Sequence, residues 1–104
     1  MVTEEIRDII SRFVTALTTR GIRVEKTLVY GSVATNRETG DSDLDVAVIS
    51  ADFGCDRYRE GTLLNQIAWR INPRLHPVPI SSDSFQNETW IPLVHEIRSH
   101  GLEV

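Results

Sequence analysis

The sequence predicts a small α/β (α+β) domain, in which a mixed β-sheet is flanked by helices. Three segments carry apolar residues at helical spacing, and short uninterrupted apolar runs of strand length lie between them. Segments of the two kinds alternate along the chain, which is typical of a sheet with helices packed against it. The 104 residues are the usual size of one domain, so we expect residues 1–104 to form a single unit.

The first predicted helix covers residues 3–20, and a strand follows at residues 24–30. Thr3 is a typical N-cap residue, and Gly21 is a typical residue at a helix end. The strand ends in three consecutive residues of apolar character. The helical stripe consists of Ile6, Ile9, Ile10, Phe13, Val14 and Leu17.

The middle of the chain predicts a second strand and a second helix. Residues 44–49 form an apolar run of strand length, whereas residues 50–61 contain glycines and charges and are predicted to be a loop. The helix ends at Asn72, because the residue before a proline disfavours helical backbone. Its apolar stripe consists of Leu63, Leu64, Ile67, Ala68 and Ile71.

The last third of the chain predicts an edge strand, a third helix and a short final strand. Residues 74–80 have an extended pattern, but Pro77 and Pro79 lack backbone donors and therefore favour the edge of the sheet. A helical stripe follows at residues 90–97, and residues 102–104 are predicted to begin a strand.

The charge balance restricts the possible partners. The chain has 11 basic and 15 acidic side chains and a net charge of -4. Nonspecific nucleic-acid binding needs a strongly basic face, so a nucleic-acid partner is disfavoured. A single cysteine permits no internal disulfide, and no apolar run reaches the ~20 residues of a membrane span. We therefore expect a cytoplasmic protein without a membrane partner.

Two carboxylates open the second predicted strand. Asp43 and Asp45 stand at positions i and i+2, so they share one face with Cα atoms about 6.5–7 Å apart. The repulsion between two neighbouring carboxylates is commonly relieved by a bound divalent cation. Mg²⁺ takes one or two carboxylates together with substrate phosphates. A solvated turn is the alternative, although an unpaired acid inside an apolar run would be expensive.

Gly31 and Ser32 directly follow the first predicted strand. A glycine lets the backbone approach a ligand closely, and a hydroxyl with exposed N–H groups at a helix start can hold phosphate oxygens. By itself, Gly-Ser after a strand is commonly no more than a turn.

The two pairs together read Gly-Ser, ten intervening residues and Asp-x-Asp. This pattern resembles the DNA polymerase beta-type nucleotidyltransferase superfamily, and specifically its minimal nucleotidyltransferases. The resemblance implies a nucleotidyltransferase fold in which Gly31 and Ser32 hold the phosphates of ATP or another nucleoside triphosphate. It also implies that Asp43 and Asp45 bind Mg²⁺, with Mn²⁺ as a possible substitute, for two-metal catalysis.

His76 is where the sequence departs from the family. Members carry a third carboxylate on a later strand, and the matching position here is His76. Imidazole is a poor ligand for Mg²⁺ but a competent general base near neutral pH. His76 could replace the acid as base or as ligand for a softer metal, or mark an impaired site that only binds nucleotide. Alternatively it is a bystander and another acid serves, the nearest being Asp83.

The resemblance implies a function in a toxin-antitoxin pair. Minimal nucleotidyltransferases resemble antitoxins of HEPN-type toxins, so we expect transfer of a nucleoside monophosphate, AMP from ATP, to a protein acceptor. A non-catalytic nucleotide-binding or toxin-binding module and a small-molecule nucleotidyltransferase are the alternatives. We also expect association with a protein partner or as a homo-oligomer, since Trp69 lies off its helical stripe and Trp90 is a second candidate for exposure.

Overall fold

A computed structural model describes residues 2–34 and 43–104 of the chain. The described residues form four helices and four strands, which confirms the predicted mixed sheet flanked by helices. In chain order these are α1 (Glu4–Thr19), β1 (Lys26–Tyr30), β2 (Leu44–Ser50), α2 (Arg57–Ile71), β3 (Leu75–Ser81), α3 (Ser82–Asn87), α4 (Pro92–His100) and β4 (Leu102–Glu103).

The strands lie in the order β3-β2-β1-β4. β1 pairs antiparallel with β2 on one side and with the two-residue β4 on the other. β2 pairs parallel with β3, and α2 makes the crossover between them. This arrangement places the end of β1 beside the starts of β2 and β3, at one end of the sheet.

The sheet is buried on both faces by helices. On one face α1 and α2 pack against alternate residues of the strands, among them Val29, Leu44, Val46 and Val48. On the other face α3 and α4 pack against the intervening residues, among them Leu28, Ala47, Ile49 and Ile80. Burial on both sides explains why residues 44–49 are apolar throughout except at position 45.

The start of α1 confirms the predicted N-cap, whereas the start of α2 lies earlier in the chain than predicted. The Thr3 hydroxyl accepts a hydrogen bond from the backbone N–H of Ile6 at 3.2 Å, as a helix N-cap does. The predicted loop at residues 50–61 is wrong in its last part, because α2 already begins at Arg57. Asp56 caps this helix by accepting from the N–H of Arg59 at 3.1 Å. The first turn is polar, so no apolar stripe reveals it.

The short helix α3 was not predicted from the sequence. Its N-cap is Ser81, whose hydroxyl accepts from the N–H of Ser84 at 3.1 Å. The helix has six residues and buries Ser84 and Phe85. A segment of this length is too short for a helical period to be recognised.

The predicted edge position of residues 74–80 is confirmed. The carbonyl of Arg74 accepts from the N–H of Leu44 at 2.7 Å, so alternate residues after Arg74 direct their backbone groups towards β2. Pro77 and Pro79 fall on the intervening positions, which face outward from the sheet. Their missing donors therefore cost the ladder nothing.

Large apolar side chains also lie on the outside. Trp69 is 71% exposed and Trp90 is 75% exposed, as the sequence predicted. Trp69 lines a groove of about 880 Å³ on α2, together with Tyr58 and three arginines. Within the described ranges, none of the helices combines the length and the apolar character needed to cross a bilayer.

Candidate active site

Three side chains form a row across the end of the sheet. Tyr30 of β1 is the register partner of Asp45, and Asp45 is the register partner of His76 on β3. Their neighbours along the strands are buried under α1 and α2. Because successive side chains of a strand point to opposite faces, all three residues stand on the face that α3 and α4 cover. Directly opposite residues on neighbouring strands are close enough for their side chains to interact.

Asp43 joins this row through His76. The Nε2 atom of His76 lies 3.1 Å from Oδ1 of Asp43, and both side chains are at least half exposed. Asp43 immediately precedes β2, two residues before Asp45. The structure therefore places His76 beside Asp43 and opposite Asp45, although the sequence analysis selected this histidine separately from the two aspartates.

Gly31 closes the same site from the end of β1. Its φ angle is 73°, a left-handed conformation that favours glycine. A Cβ atom at this position would lie 2.5 Å from Oδ2 of Asp45, so only glycine leaves room for the carboxylate. Ser32 is the next residue along the chain. Arg37 stands between Ser32 and Asp43 in the sequence, where a basic side chain suits either contact with phosphate or full solvation, and it lies outside the described residues.

The surroundings of Asp45 disfavour its negative charge. Burial raises the pKa of the Asp45 carboxyl above its usual range, and the negative charges of Asp43 and Glu96 raise it further, while His76 lowers it. Burial also raises the pKa of Tyr30 to about 12, with further contributions from Asp45 and Glu96. A cation bound here would relieve the repulsion between the carboxylates.

The residues of the site fit a divalent metal ion that is completed by phosphate oxygens. Among the described residues, no three His, Cys, Asp or Glu side chains converge as a preformed metal site. Mg²⁺ seldom uses such a cage, since it takes one or two carboxylates together with waters and substrate phosphates. Asp43 and Asp45 supply the carboxylates, and the backbone of Gly31 lies against the second of them.

Two neighbours of the carboxylates were missed by the sequence analysis. Tyr30 lies directly opposite Asp45, and Glu96 of α4 adds negative potential at both. No local pattern marks Glu96, because its position depends on how α4 packs on the sheet. Asp83 is not part of the site: it follows the far end of β3, and its carboxylate accepts from Asn87 Nδ2 at 2.8 Å.

A family model described as nucleotidyltransferase domain matches residues 10–88. The chain belongs to this nucleotidyltransferase domain family. The matched range contains β1, β2 and β3 together with Gly31, Asp43, Asp45 and His76. It ends before α4. The resemblance read from the spacing of Gly-Ser and Asp-x-Asp is thereby confirmed at the level of the family.

The nucleotidyltransferase domain is also similar in fold to a solved structure, the crystal structure of a toxin-antitoxin with AMP-PNP. The two chains are 16% identical and superpose with a TM-score of 0.59, over 89% of this chain and 69% of the other. At this identity the similarity concerns the fold. No curated protein matches the sequence.

Proposed function

We propose that the chain is a metal-dependent nucleotidyltransferase that transfers AMP from ATP to a side chain of a partner protein. The metal is Mg²⁺, with Mn²⁺ as an alternative. The observation that carries the proposal is the position of two carboxylates, Asp43 and Asp45, at the start of one strand, with the second against the left-handed Gly31. Two adjacent acids beside a glycine that follows a strand suit the binding of a metal-nucleotide complex.

Each residue has a physical task in this reaction. The backbone at Gly31 and the Ser32 hydroxyl orient the β- and γ-phosphates, and Asp43 and Asp45 hold the metal. When bound, the metal supplies positive charge that stabilises the departing pyrophosphate and lowers the pKa of the acceptor hydroxyl.

The transfer step exchanges a phosphoanhydride bond of ATP for a phosphoester bond to the acceptor. The acceptor oxygen forms a bond to the α-phosphorus while the bond from that phosphorus to the β-phosphate oxygen breaks. The products are an AMP ester of the acceptor and pyrophosphate, and the acceptor proton leaves to water. The contribution of the protein is orientation and charge neutralisation rather than covalent chemistry.

A protein acceptor is favoured by the similarity in fold to a solved structure. The similar structure is a toxin-antitoxin with AMP-PNP, a nucleotide analogue, which suits a protein partner together with a nucleotide. The partner expected from the sequence is a HEPN-type toxin, in a cytoplasmic toxin-antitoxin pair.

A non-catalytic binding module is the second candidate, and His76 is the observation that favours it. This histidine lies beside Asp45 in the register, where the family resemblance implies a third carboxylate. A site with two acids can still bind a metal-nucleotide complex and a partner protein without performing the transfer.

Transfer of label separates the two candidates. The chain is incubated with a HEPN-type candidate partner, Mg²⁺ or Mn²⁺, and ATP labelled at either the α- or the γ-phosphate. Covalent α-label on the partner, lost in Asp45→Asn and retained in Asp8→Asn, supports AMP transfer. Asp8 is a suitable control because it is an exposed aspartate on α1 that pairs with Arg12. Transfer of γ-label contradicts the proposal, and ATP binding without any transfer supports the binding module.

A further inference from the structure

His76 and Asp43 form a pair of donor atoms that is suited to one cation. Their Nε2 and Oδ1 atoms are 3.1 Å apart, which is a hydrogen-bond distance. Adjacent ligands of an octahedral ion with bonds of 2.0–2.1 Å are also separated by about 3 Å. A dication can therefore bind both atoms without a large movement of either side chain.

The elements that carry the pair hold it in place. His76 belongs to β3, whose pairing with β2 runs along its whole length, and Asp43 immediately precedes β2. Asp45 is the register partner of His76, and its carboxyl group is close enough to interact electrostatically with both members of the pair. Both donor side chains are at least half exposed, so an ion and a bound phosphate can approach from solvent.

We infer that His76 is a metal ligand in this chain, and that it shifts the preference of the site from Mg²⁺ towards the later first-row transition-metal dications such as Co²⁺. The inference rests on the proposed function, since it concerns the metal of the same site. Its basis is donor chemistry: imidazole nitrogen suits transition metals, whereas Mg²⁺ takes oxygen ligands.

Direct spectroscopy tests whether the imidazole is a ligand. Mn²⁺ alone is added to the protein, and pulsed electron paramagnetic resonance measures the coupling of the metal to ¹⁴N. The chain has 3 histidines, so each is replaced by alanine in turn. We expect the nitrogen coupling to vanish in His76→Ala and to persist in His95→Ala and His100→Ala. Coupling that survives in His76→Ala, or none in the parent, overturns the inference.

Calorimetry tests the preference itself, with Mg²⁺, Mn²⁺ and Co²⁺ each added alone. We expect the ratio of Co²⁺ to Mg²⁺ affinity to fall at least about tenfold from the parent to His76→Asp, which replaces the imidazole by a carboxylate. An unchanged ratio contradicts the inference. His76→Asp adds a charge that strengthens binding of both ions, so the ratio, and not either affinity, is the measured quantity.

Asp45→Asn separates failure of the inference from failure of the proposed function. Metal binding that depends on Asp45 but shows no nitrogen coupling removes His76 as a ligand and leaves the proposed site intact. Metal affinity that is the same in the parent and in Asp45→Asn contradicts the proposed site and the inference together.

Discussion

The Asp45 carboxylate lies against the backbone of Gly31, so closely that a Cβ atom on the glycine would be 2.5 Å from Oδ2. One residue comes from the end of β1 and the other from the start of β2. Gly31 also has a φ angle of 73°, which most residues adopt only with strain. The glycine thus serves two purposes: it turns the chain out of the strand, and it leaves room for the acid.

Gly31→Ala is expected to damage both the fold and the site. The left-handed backbone alone costs roughly 1–2 kcal/mol with alanine, and displacement of Asp45 adds to that cost. We expect ATP affinity in the presence of Mg²⁺ to fall by about tenfold or more, equivalent to about 1.4 kcal/mol. Chemical denaturation and calorimetry measure the two effects.

Two other glycines are matched controls for this substitution. Gly21 has a φ angle of 86° but nothing within 4 Å of its added Cβ, so Gly21→Ala should show the backbone cost alone. Gly61 lies within α2 with open space around it, and Gly61→Ala should stabilise the protein by about 1 kcal/mol. Equal effects of Gly31→Ala and Gly21→Ala would show that contact with Asp45 is unimportant.

Asp45→Asn should make the metal-free protein more stable at neutral pH while abolishing metal-dependent ATP binding. Burial raises the pKa of the Asp45 carboxyl in the folded state, so the folded chain binds more protons than the unfolded chain above the ordinary Asp pKa of about 3.9. The free energy of unfolding of the parent therefore falls as the pH rises from about 3.9 to the raised pKa of the Asp45 carboxyl. We expect a melting temperature a few degrees higher for Asp45→Asn at pH 7, and no difference below the ordinary pKa.

Thermal melts of the parent and Asp45→Asn across this pH range measure the effect, with Asp8→Asn as the exposed control. A difference between parent and Asp45→Asn that grows as pH falls would have the wrong sign for a raised pKa. Retention of metal-dependent ATP affinity in Asp45→Asn would remove this residue from the metal site.

Tyr30→Phe should remove a loss of stability at alkaline pH. Burial raises the pKa of Tyr30 to about 12, so the unfolded chain loses the phenolic proton at lower pH than the folded chain. The contribution of Tyr30 to stability is therefore present at neutral pH and is lost as pH rises from about 10 to about 12. Denaturation of parent and Tyr30→Phe in this range should show a steeper fall for the parent, and parallel curves would contradict the raised pKa.

Trp69→Ser is expected to weaken association of the chain without destabilising it. Trp69 is 71% exposed and lines a groove with Tyr58 and Arg70, and interfaces are rich in these residue types. Because the side chain contributes little to the core, the melting temperature at low concentration should change by no more than a few degrees. Association is measured by sedimentation at high micromolar concentration for the parent, Trp69→Ser and Trp90→Ser. A parent that stays monomeric contradicts the predicted association.

The sequence by itself determined the local structure and the family of this protein. Helical spacing identifies α1, the hydroxyl of Thr3 caps it, and the prolines of β3 exclude a central position in the sheet. The spacing between Gly31-Ser32 and the two aspartates is likewise a property of the chain alone. These features depend on residues that are neighbours in sequence, so their periodicity and backbone preferences can be read directly.

Only the tertiary structure decided which of these residues meet. The parallel register of β2 and β3 sets His76 opposite Asp45 and beside Asp43, and α4 brings Glu96 towards them. That register depends on how α2 packs over the sheet between the two strands, and a shift by one residue would turn His76 to the opposite face. Local propensity carries no information on such a choice, because the burial of both faces of the sheet decides it.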